Sequence, residues 1–263
     1  RGIFFTGSSF VGKKILQYSG QSNMKKVGLE CGGKSPFIVS EKCNELEKAS
    51  KVLAKNIFYN QGQICSASSR LIIHKNIKDK FLSLLVEESR KYIPKNPLSL
   101  ESEVGAVISQ KQKKKIEEYI SLGVESGARI TTIESDTLPF EDGSYINPVI
   151  FDDVDLDSKI AQDEIFGPVL IVLTVSNIKE AIEIANSSRY GLASSIWTSD
   201  YDEAYQVSRL LESGIVHVNS YGDDDNTVPF GGVKESGLGT DKSIHAFNEY
   251  SNVKTTWMSF NSL

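Results

Sequence analysis

The sequence predicts an α/β fold in which a mostly parallel β-sheet is flanked by helices. Short runs of β-branched and aromatic residues alternate along the chain with longer stretches that repeat apolar residues at helical spacing. Glycines separate many of these elements, among them Gly28, Gly191 and Gly214. Such alternation is typical of layered α/β domains, because a helix that follows each strand packs back onto the sheet.

Each element rests on a local pattern. The predicted strands are residues 3–5, 37–39, 71–74, 169–175, 194–198 and 215–218. The predicted helices are residues 45–59, 77–91, 113–122, 178–186 and 202–211. In the first of them, Leu46, Ala49, Leu53 and Ile57 lie three or four positions apart and share one helix face. Residues 251–260 are β-like, which predicts that they pair with a sheet edge in a partner subunit.

Composition excludes several classes of protein. The chain has 263 residues, of which 40% are hydrophobic, so a sizeable core can form and disorder is excluded. Its longest apolar runs fall short of the roughly 18 to 20 residues that a membrane helix needs. The net charge of −5 disfavours a nucleic-acid partner. We interpret the short basic run at residues 113–115 as a solvated helix face, and we expect neither a nucleic-acid nor a membrane partner.

Cysteine usage predicts a reducing compartment. Cys31, Cys43 and Cys65 form no CxxC pair and make no metal-binding spacing with the three histidines. No metal site and no disulfide framework are therefore expected, and the predicted location is cytoplasmic. No signal peptide is visible. The chain starts without Met in a strand-like run, so we expect a fragment of a longer protein.

One motif points to a chemistry that we reject. Residues 28–35, GLECGGKS, fit the phosphate-loop pattern GxxxxGK[ST]. A phosphate loop requires a helix that begins at its Lys-Ser pair. Here Pro36 disfavours helical geometry at Ser35, a β-like run follows, and the Glu30 carboxylate would repel phosphate.

Two residues are candidates for chemistry on their own patterns. Cys65 follows a glycine-containing helix exit among polar residues, where a thiol can be accessible and reactive. Burial as a structural cysteine is the alternative, and it is also our interpretation of Cys31 and Cys43. Glu30 lies in a partly apolar segment that would raise its pKa, as suits a general base. An exposed or ion-paired glutamate is the alternative there.

Six longer motifs, taken together, resemble the aldehyde dehydrogenase superfamily. They are FTGSSFVG at 5–12, LECGGKSP at 29–36, NQGQIC at 60–65, EIFGPV at 164–169, NSSRYGL at 186–192 and PFGGVKESG at 229–237. They occur in the order of the family, and the resemblance runs from about residue 3 to the C-terminus. Cys31 departs from the pattern, since the family has Leu there.

The resemblance implies a role for each matching residue. Cys65 matches the nucleophile that attacks the aldehyde carbon, and its backbone N–H matches an oxyanion-hole donor. Glu30 matches the general base that activates water. Glu164 matches the carboxylate that holds the nicotinamide ribose, and Phe166 the residue that positions the nicotinamide. The matches near the cofactor are Gly7, Ser8 and Gly32. The implied cofactor is NAD, with NADP as an alternative.

The resemblance also implies what this chain lacks. Family members are nearly twice as long, and the absent N-terminal part would hold most of the dinucleotide-binding domain. We therefore expect residues 1–32 to be a remnant of a Rossmann-like cofactor domain, 33–246 the catalytic domain and 247–263 a β-like oligomerisation tail. The intact protein is expected to be a homo-oligomer, a dimer or tetramer. A truncated, non-catalytic interaction module and a cofactor-free thioester-forming hydrolase are the alternatives.

The segment before the PFGG motif suggests a substrate class. Asp223, Asp224 and Asp225 are consecutive carboxylates in a loop that borders the substrate tunnel in the family, next to Phe230. Acidic side chains there would attract an amino-bearing aldehyde, whereas a solvated turn is the alternative. Residues 226–232, 239–247 and 254–257 resemble bacterial γ-glutamyl-γ-aminobutyraldehyde dehydrogenases of polyamine breakdown. We therefore predict an aminoaldehyde as the substrate, with Asp223, Asp224 and Phe230 contacting it.

Overall fold

A computed structural model describes residues 2–133, 139–140, 142–222 and 225–260. The strands are β1 Gly2–Thr6, β2 Lys26–Glu30, β3 Pro36–Val39, β4 Arg70–His74, β5 Arg129–Thr132, β6 Val149–Asp152, β7 Val169–Val175, β8 Tyr190–Gly191, β9 Ala193–Trp197, β10 Ile215–Val218, β11 Val233–Lys234 and β12 Gly237–Leu238. The helices are α1 Ser9–Gln21, α2 Leu46–Phe58, α3 Lys78–Ser89, α4 Gln110–Glu125, α5 Lys159–Gln162, α6 Ile178–Asn186, α7 Tyr201–Leu210 and α8 Ala246–Tyr250.

A seven-stranded sheet dominates the fold and confirms the predicted class. Its strand order is β10-β9-β3-β4-β7-β6-β5, and every neighbouring pair is parallel except β5 with β6. Strands β3, β4, β6 and β9 are buried along their whole length, because helices cover both faces of the sheet. The edge strand β5 is exposed throughout, and its polar sequence RITT gave no strand signal.

Two apolar layers cover the faces of this sheet. Along β4, Leu71 and Ile73 pack with α2 and α3, whereas Ile72 packs in the second layer with α4, α5, α6 and α7. Successive side chains of a strand point to opposite faces, so one short strand contributes to both layers. At about 25 cal/mol per Å² of apolar area, these layers are the main source of stability.

A separate three-stranded sheet lies next to the large one. It has the order β1-β2-β12, with β1 parallel and β12 antiparallel to β2. The N–H of Gly7 donates to the carbonyl of Glu30 at 3.0 Å, so the end of β2 meets the start of α1. Because β12 comes from the C-terminal part, this sheet joins both ends of the described chain. The predicted domain boundary between residues 32 and 33 remains a prediction.

The predicted pairing of the C-terminal tail with a partner subunit is not tested by the structure of a single chain. Residues 251–260 belong to neither a helix nor a strand, and all of them are exposed. Pairing with a partner subunit stays a prediction. In the part of the chain that the structure describes, no helix has both the length and the apolar character to cross a membrane.

Candidate active site

A cleft of about 300 Å³ opens where the small sheet meets the amino ends of strands in the large sheet. It is lined by Thr6, Gly7, Ser8, Glu30, Cys31, Gly32, Cys65, Gln112, Lys115, Glu164 and Phe166. All seven residues that we predicted to be catalytic or cofactor-binding are among them. The structure thus brings these residues together, while their roles stay predictions.

A strained loop carries Cys65 to the cleft. After α2 ends at Phe58, three consecutive residues adopt positive φ: Asn60 (49°), Gln61 (56°) and Gly62 (68°). A Cβ on Gly62 would lie 2.2 Å from the carbonyl oxygen of Gly167, so only glycine fits there. Strained backbone of this kind is concentrated at functional sites, since the surrounding structure must hold it in place.

Cys65 is a neutral thiol in this environment. Burial raises its pKa above the usual value, and the carboxylates of Glu164 and Glu30 raise it further. The backbone N–H of Ser66 donates a hydrogen bond to the sulfur, which lowers the pKa of Cys65 and partly offsets the effect of burial. A thiol with a raised pKa needs a nearby base in order to react as a thiolate near neutral pH.

Glu30 has the properties of such a base. It lies at the end of β2 and is 9% exposed. Burial, with a further contribution from the negative charge of Asp241, raises its pKa to about 7. Among the described residues, its buried Oε2 has no hydrogen-bond partner. A carboxyl group that titrates near neutral pH and keeps an unpartnered oxygen can accept a proton, whereas its role as the general base stays a prediction.

The side chain of Glu164 packs against Gly32 and Gly33, which precede strand β3. The N–H of Gly33 donates to its Oε1 at 3.2 Å, and burial raises the pKa of this carboxyl group. A Cβ on Gly32 would lie 2.2 Å from its Oε2. Glycine at position 32 therefore gives the Glu164 side chain room to lie in the cleft.

The residues around this carboxylate fit a dinucleotide. Helix α1 begins at the cleft, and the hydroxyl of its N-cap residue Ser8 accepts from the N–H of Val11 at 3.4 Å. A helix N-terminus attracts phosphate groups, because its backbone N–H groups point outward. Glu164 supplies acceptors suited to ribose hydroxyl groups. A phosphate-binding end and a hydroxyl-binding end in one cleft match the two kinds of group in NAD.

Two residues of α4 at the cleft were missed by the sequence analysis. The Nε2 of Gln112 donates to the carbonyl of Phe166 at 2.8 Å, and this bond holds the turn in which Phe166 has a φ of 59°. The Nζ of Lys115 donates to the carbonyl of Glu164 at 3.2 Å. Our interpretation of residues 113–115 as a solvated face was therefore wrong for Lys115, which is half-buried.

The backbone confirms that residues 28–35 do not form a phosphate loop. Pro36 begins strand β3, so no helix follows Lys34. Lys34 is 1% exposed, and burial lowers its pKa to about 7. Its Nζ has no hydrogen-bond partner among the described residues. A buried amine that is enclosed in this way cannot contact a phosphate in solvent.

Phe230 lies outside the cleft, at a second cavity of about 240 Å³ that includes Ser66, the neighbour of Cys65. Two backbone hydrogen bonds hold Phe230 there. Its N–H donates to the carbonyl of Asp241 at 2.8 Å, and the N–H of Asp241 donates to its carbonyl at 2.7 Å. Asp225, also at this cavity, has a lowered pKa because the backbone N–H and hydroxyl of Thr227 donate to it. The predicted substrate residues Asp223 and Asp224 lie outside the described residues.

The remaining cysteines agree with the structural interpretation. Cys31 and Cys43 are buried, and all three thiols are free. Within the described ranges, no group of three or more His, Cys, Asp or Glu side chains could hold a metal ion.

Comparison with known proteins adds independent evidence. The profile of the aldehyde dehydrogenase family matches residues 1–256. The NADP/NAD-dependent aldehyde dehydrogenase PuuC of Escherichia coli is 42% identical over 98% of this chain and 51% of its own length. Aminoacetaldehyde dehydrogenase of Pseudomonas aeruginosa is 36% identical over 97% of this chain and 51% of its own length.

Solved structures agree with this similarity. Indole-3-acetaldehyde dehydrogenase of P. syringae, a C302A mutant in complex with NAD+ and IAA, has a TM-score of 0.94 at 43% identity; the match covers 98% of this chain and 52% of that one. γ-Glutamyl-γ-aminobutyraldehyde dehydrogenase of Burkholderia cenocepacia has a TM-score of 0.91 at 44% identity over 97% and 52%. The chain spans about half the length of these relatives. It belongs to the aldehyde dehydrogenase family.

Proposed function

We propose that this chain is the catalytic part of an NAD(P)-dependent aldehyde dehydrogenase that oxidises an aminoaldehyde to a carboxylate. The observation that carries the proposal is the single cleft shared by Cys65, Glu30 and Glu164, with a base whose pKa is raised to about 7. Family membership supports the same chemistry.

In the first step, the sulfur of Cys65 forms a bond with the carbonyl carbon of the aldehyde. The thiol proton leaves to a base, and Glu30 in the same cleft is the candidate, because its carboxyl group is partly ionised at neutral pH. The backbone N–H of Cys65 donates to the developing oxyanion. The product of this step is a thiohemiacetal on Cys65.

NAD(P), when bound, supplies the hydride acceptor that turns the thiohemiacetal into a thioester. Glu164 and the N-terminus of α1 at Ser8 would hold it, the first through ribose hydroxyl groups and the second through phosphate. Phe166 would position the nicotinamide. Gln112 would keep Phe166 in place through the hydrogen bond at 2.8 Å.

Glu30 then acts in the release of product. The proton that Glu30 took from Cys65 has by then been released to solvent, so Glu30 is a carboxylate again. It accepts a proton from water while the water oxygen attacks the thioester carbon, and it returns this proton to the sulfur as Cys65 leaves. The carbon–sulfur bond breaks, the carboxylic acid leaves, and Cys65 is regenerated. Burial favours this role, because a desolvated carboxylate binds a proton more readily than an exposed one.

An aminoaldehyde is the substrate that the acidic residues favour. Asp225 at the second cavity keeps its negative charge, since its pKa is lowered by Thr227. Relatives named for aminoacetaldehyde and for γ-glutamyl-γ-aminobutyraldehyde support this choice. A relative named for indole-3-acetaldehyde is equally similar, so substrate preference must be measured.

The test is NADH formation from γ-aminobutyraldehyde and from butyraldehyde, with Cys65→Ser and Cys43→Ser compared in the protein that carries this chain. We expect Cys65→Ser to lower the rate by about 10³-fold or more and Cys43→Ser to leave it unchanged. A higher kcat/KM for butyraldehyde would overturn the aminoaldehyde proposal. Full activity of Cys65→Ser would overturn the catalytic proposal and favour an interaction module.

A further inference from the structure

The hydroxyl group of Tyr221 forms a hydrogen bond directly beside Cys65. Tyr221 is 7% exposed, and its O–H donates to the backbone carbonyl of Ser66 at 2.6 Å. Ser66 immediately follows Cys65 but lies 155 positions before Tyr221 in the chain. This hydrogen bond therefore ties the loop that carries the proposed nucleophile to the segment that follows β10.

The packing around Tyr221 fixes the position of its hydroxyl oxygen. The ring centroid lies 6.2 Å from that of Phe37 in β3 and 4.8 Å from that of His217 in β10. Tyr221 belongs to the apolar layer that α2 and α3 form on the large sheet. The next residue, Gly222, has a φ of 76°, and a Cβ there would lie 2.8 Å from the Oδ1 of Asn56 in α2. A ring that is enclosed in this way has few alternative rotamers.

Tyr221 is a neutral hydrogen-bond donor. Burial raises its pKa to about 12, and a negative charge on Cys65 acts in the same direction. The phenol therefore keeps its proton near neutral pH, and it donates this proton to a backbone carbonyl. A group with these properties is suited to positioning its acceptor rather than to proton transfer in a reaction.

The residue that Tyr221 holds contacts the reacting atom. The backbone N–H of Ser66 donates to the sulfur of Cys65 and lowers the pKa of the thiol against the effect of burial. The carbonyl of Cys65, on the same peptide unit as this N–H, lies against Gly33, where a Cβ would be 2.5 Å away. Gly33 thus confines one side of the peptide unit, and the orientation of Ser66 decides whether its N–H points at the sulfur.

We propose that Tyr221 is a positioning residue for Cys65: its hydroxyl holds the Ser66 carbonyl, so that the Ser66 N–H points at the sulfur and stabilises the thiolate. A hydrogen bond is stronger when its acceptor is charged, so a fixed N–H favours the thiolate over the thiol. The inference rests on the proposed function, because it concerns how Cys65 is prepared to attack an aldehyde. Tyr221 acts through Ser66 and is not itself a catalytic residue.

The test is the rate at which iodoacetamide labels Cys65 in the full 263-residue chain, with the label located by peptide mass spectrometry. Tyr221→Phe removes the hydroxyl and keeps the ring. We expect it to slow Cys65 labelling about fivefold between pH 7 and pH 9, as for the loss of one hydrogen bond. The difference should shrink at pH values above the pKa of the thiol, where wild type and variant are both ionised.

Tyr92→Phe is the matched control. It makes the same chemical change at the margin of the same apolar layer, where the Tyr92 ring lies 6.1 Å from that of Phe58. It should leave the labelling rate of Cys65 unchanged. Equal slowing by Tyr92→Phe would overturn the proposal, because the effect would then not depend on the bond to Ser66.

A merely structural role for Tyr221 predicts a different result. A loosened core would expose buried thiols, so Cys43 and Cys65 would both be labelled faster. We expect Tyr221→Phe to leave the Cys43 rate unchanged and to unfold in one cooperative thermal transition. Faster or unchanged labelling of Cys65 in Tyr221→Phe would overturn the proposal.

A conservative replacement keeps the proposal testable if Tyr221→Phe does not fold. Replacement of Tyr221 by 3-fluorotyrosine retains the ring and the hydroxyl and makes the hydroxyl more acidic, hence a better donor. Cys65 should then be labelled at least as fast as in wild type. Slower labelling in this protein would overturn the proposal.

Labelling needs neither an aldehyde nor a dinucleotide, so the inference and the proposed function can fail separately. A Tyr221→Phe chain that is labelled like wild type, in a protein whose NADH formation depends on Cys65, would overturn the inference alone. NADH formation that does not depend on Cys65, together with slower labelling in Tyr221→Phe, would overturn the proposed function and support the positioning of the thiol.

Discussion

The two edges of the seven-stranded sheet are built in different ways. At the amino edge, the chain passes through the positive-φ residues Asn60, Gln61 and Gly62, and glycines touch a carboxylate and carbonyl oxygens. At the carboxyl edge, side-chain caps begin two of the helices: the Oδ1 of Asn177 accepts from the backbone N–H of the third residue of α6, and the φ of Asn177 is not positive. Asp200 caps α7 in the same manner.

This difference shows where the fold stores strain. Parallel sheets of the open type bind ligands at their carboxyl edge, yet here Cys65, the proposed nucleophile, lies at the amino edge. The strained loop and the close glycine packing lie at the edge that holds the proposed catalytic residues, whereas strand direction alone would point to the other edge. At the carboxyl edge, single positive-φ residues follow β6 (Asp153, 56°) and β10 (Asn219, 52°), whereas among the described residues a run of three occurs at the amino edge alone.

The largest effect expected is that of Gly62→Ala at the amino edge. The new methyl group would meet the Gly167 carbonyl at 2.2 Å in a backbone with φ of 68°. We expect a loss of about 4 kcal/mol in the free energy of unfolding. Gly127 is a matched control, because its φ is 82° but no atom lies within 4 Å. Gly127→Ala should cost about 1 kcal/mol by urea unfolding, and equal losses would contradict the account.

Lys34→Met, at the amino edge, should increase the free energy of unfolding. The pKa of Lys34 falls to about 7 in the folded state from an ordinary value of 10.5. Between these values the unfolded chain binds a proton that the native chain lacks, so native stability rises with pH across that window. The variant should therefore be more stable by about 3 kcal/mol at pH 7, and the gain should shrink toward pH 10.

Lys42 at the carboxyl edge is the control for this variant, since its side chain is half exposed and paired with Asp200. Lys42→Met should change the unfolding free energy far less and with no such trend. A Lys34→Met gain that stays constant from pH 7 to pH 10 would show that the amine is not neutral in the folded state.

Glu30→Gln should give a smaller effect with the opposite dependence on pH. The pKa of Glu30 is raised from 4.5 to about 7, so the native chain holds a proton that the unfolded chain has lost in that range. Wild-type stability therefore falls as pH rises from 4.5 to 7. The variant should be more stable than wild type by about 2 kcal/mol at pH 8, after allowance for solvent screening.

Glu41→Gln, exposed at the carboxyl edge, serves as the control for Glu30→Gln. Thermal unfolding at pH 4.5 and pH 8 measures both variants. A stability difference for Glu30→Gln that does not change with pH would contradict a desolvated carboxyl group.

Thiol labelling gives the smallest effect. Burial raises the pKa of all three thiols. Cys31 and Cys65 both line the open cleft, but Cys31 is only 3% exposed whereas Cys65 is half-buried. Iodoacetamide should therefore label Cys65 first, at a rate that rises about tenfold per pH unit from pH 7 to pH 9. Peptide mass spectrometry locates the label. A plateau in the labelling rate below pH 8 would contradict the raised pKa.

Much of the fold could be predicted from sequence because its strong elements have local signals. The predicted strand 169–175 and helix 178–186 coincide with β7 and α6. The two-residue strands β8, β11 and β12 were not predicted. Of the longer strands, β2, β5 and β6 were not predicted. Each has only four or five residues, and β5 is polar and exposed, so they depend on neighbouring strands that no local pattern reveals.

The site was predictable only where a motif surrounds the residue. Cys65, Glu30, Glu164 and Phe166 lie inside long motifs, and the structure gathers them in one cleft. Lys115 lies in an ordinary basic run, and its contact with the Glu164 carbonyl depends on tertiary packing.

The most direct test of the catalytic edge is acetyl transfer from p-nitrophenyl acetate, which needs no dinucleotide. We expect wild type to release a burst of one p-nitrophenol per chain with the acetyl group on Cys65, followed by slow turnover. Cys65→Ser should show no burst, and Glu30→Gln should slow the burst and lose the turnover that follows it. An acetyl group on another residue, or normal turnover in Glu30→Gln, would contradict the account.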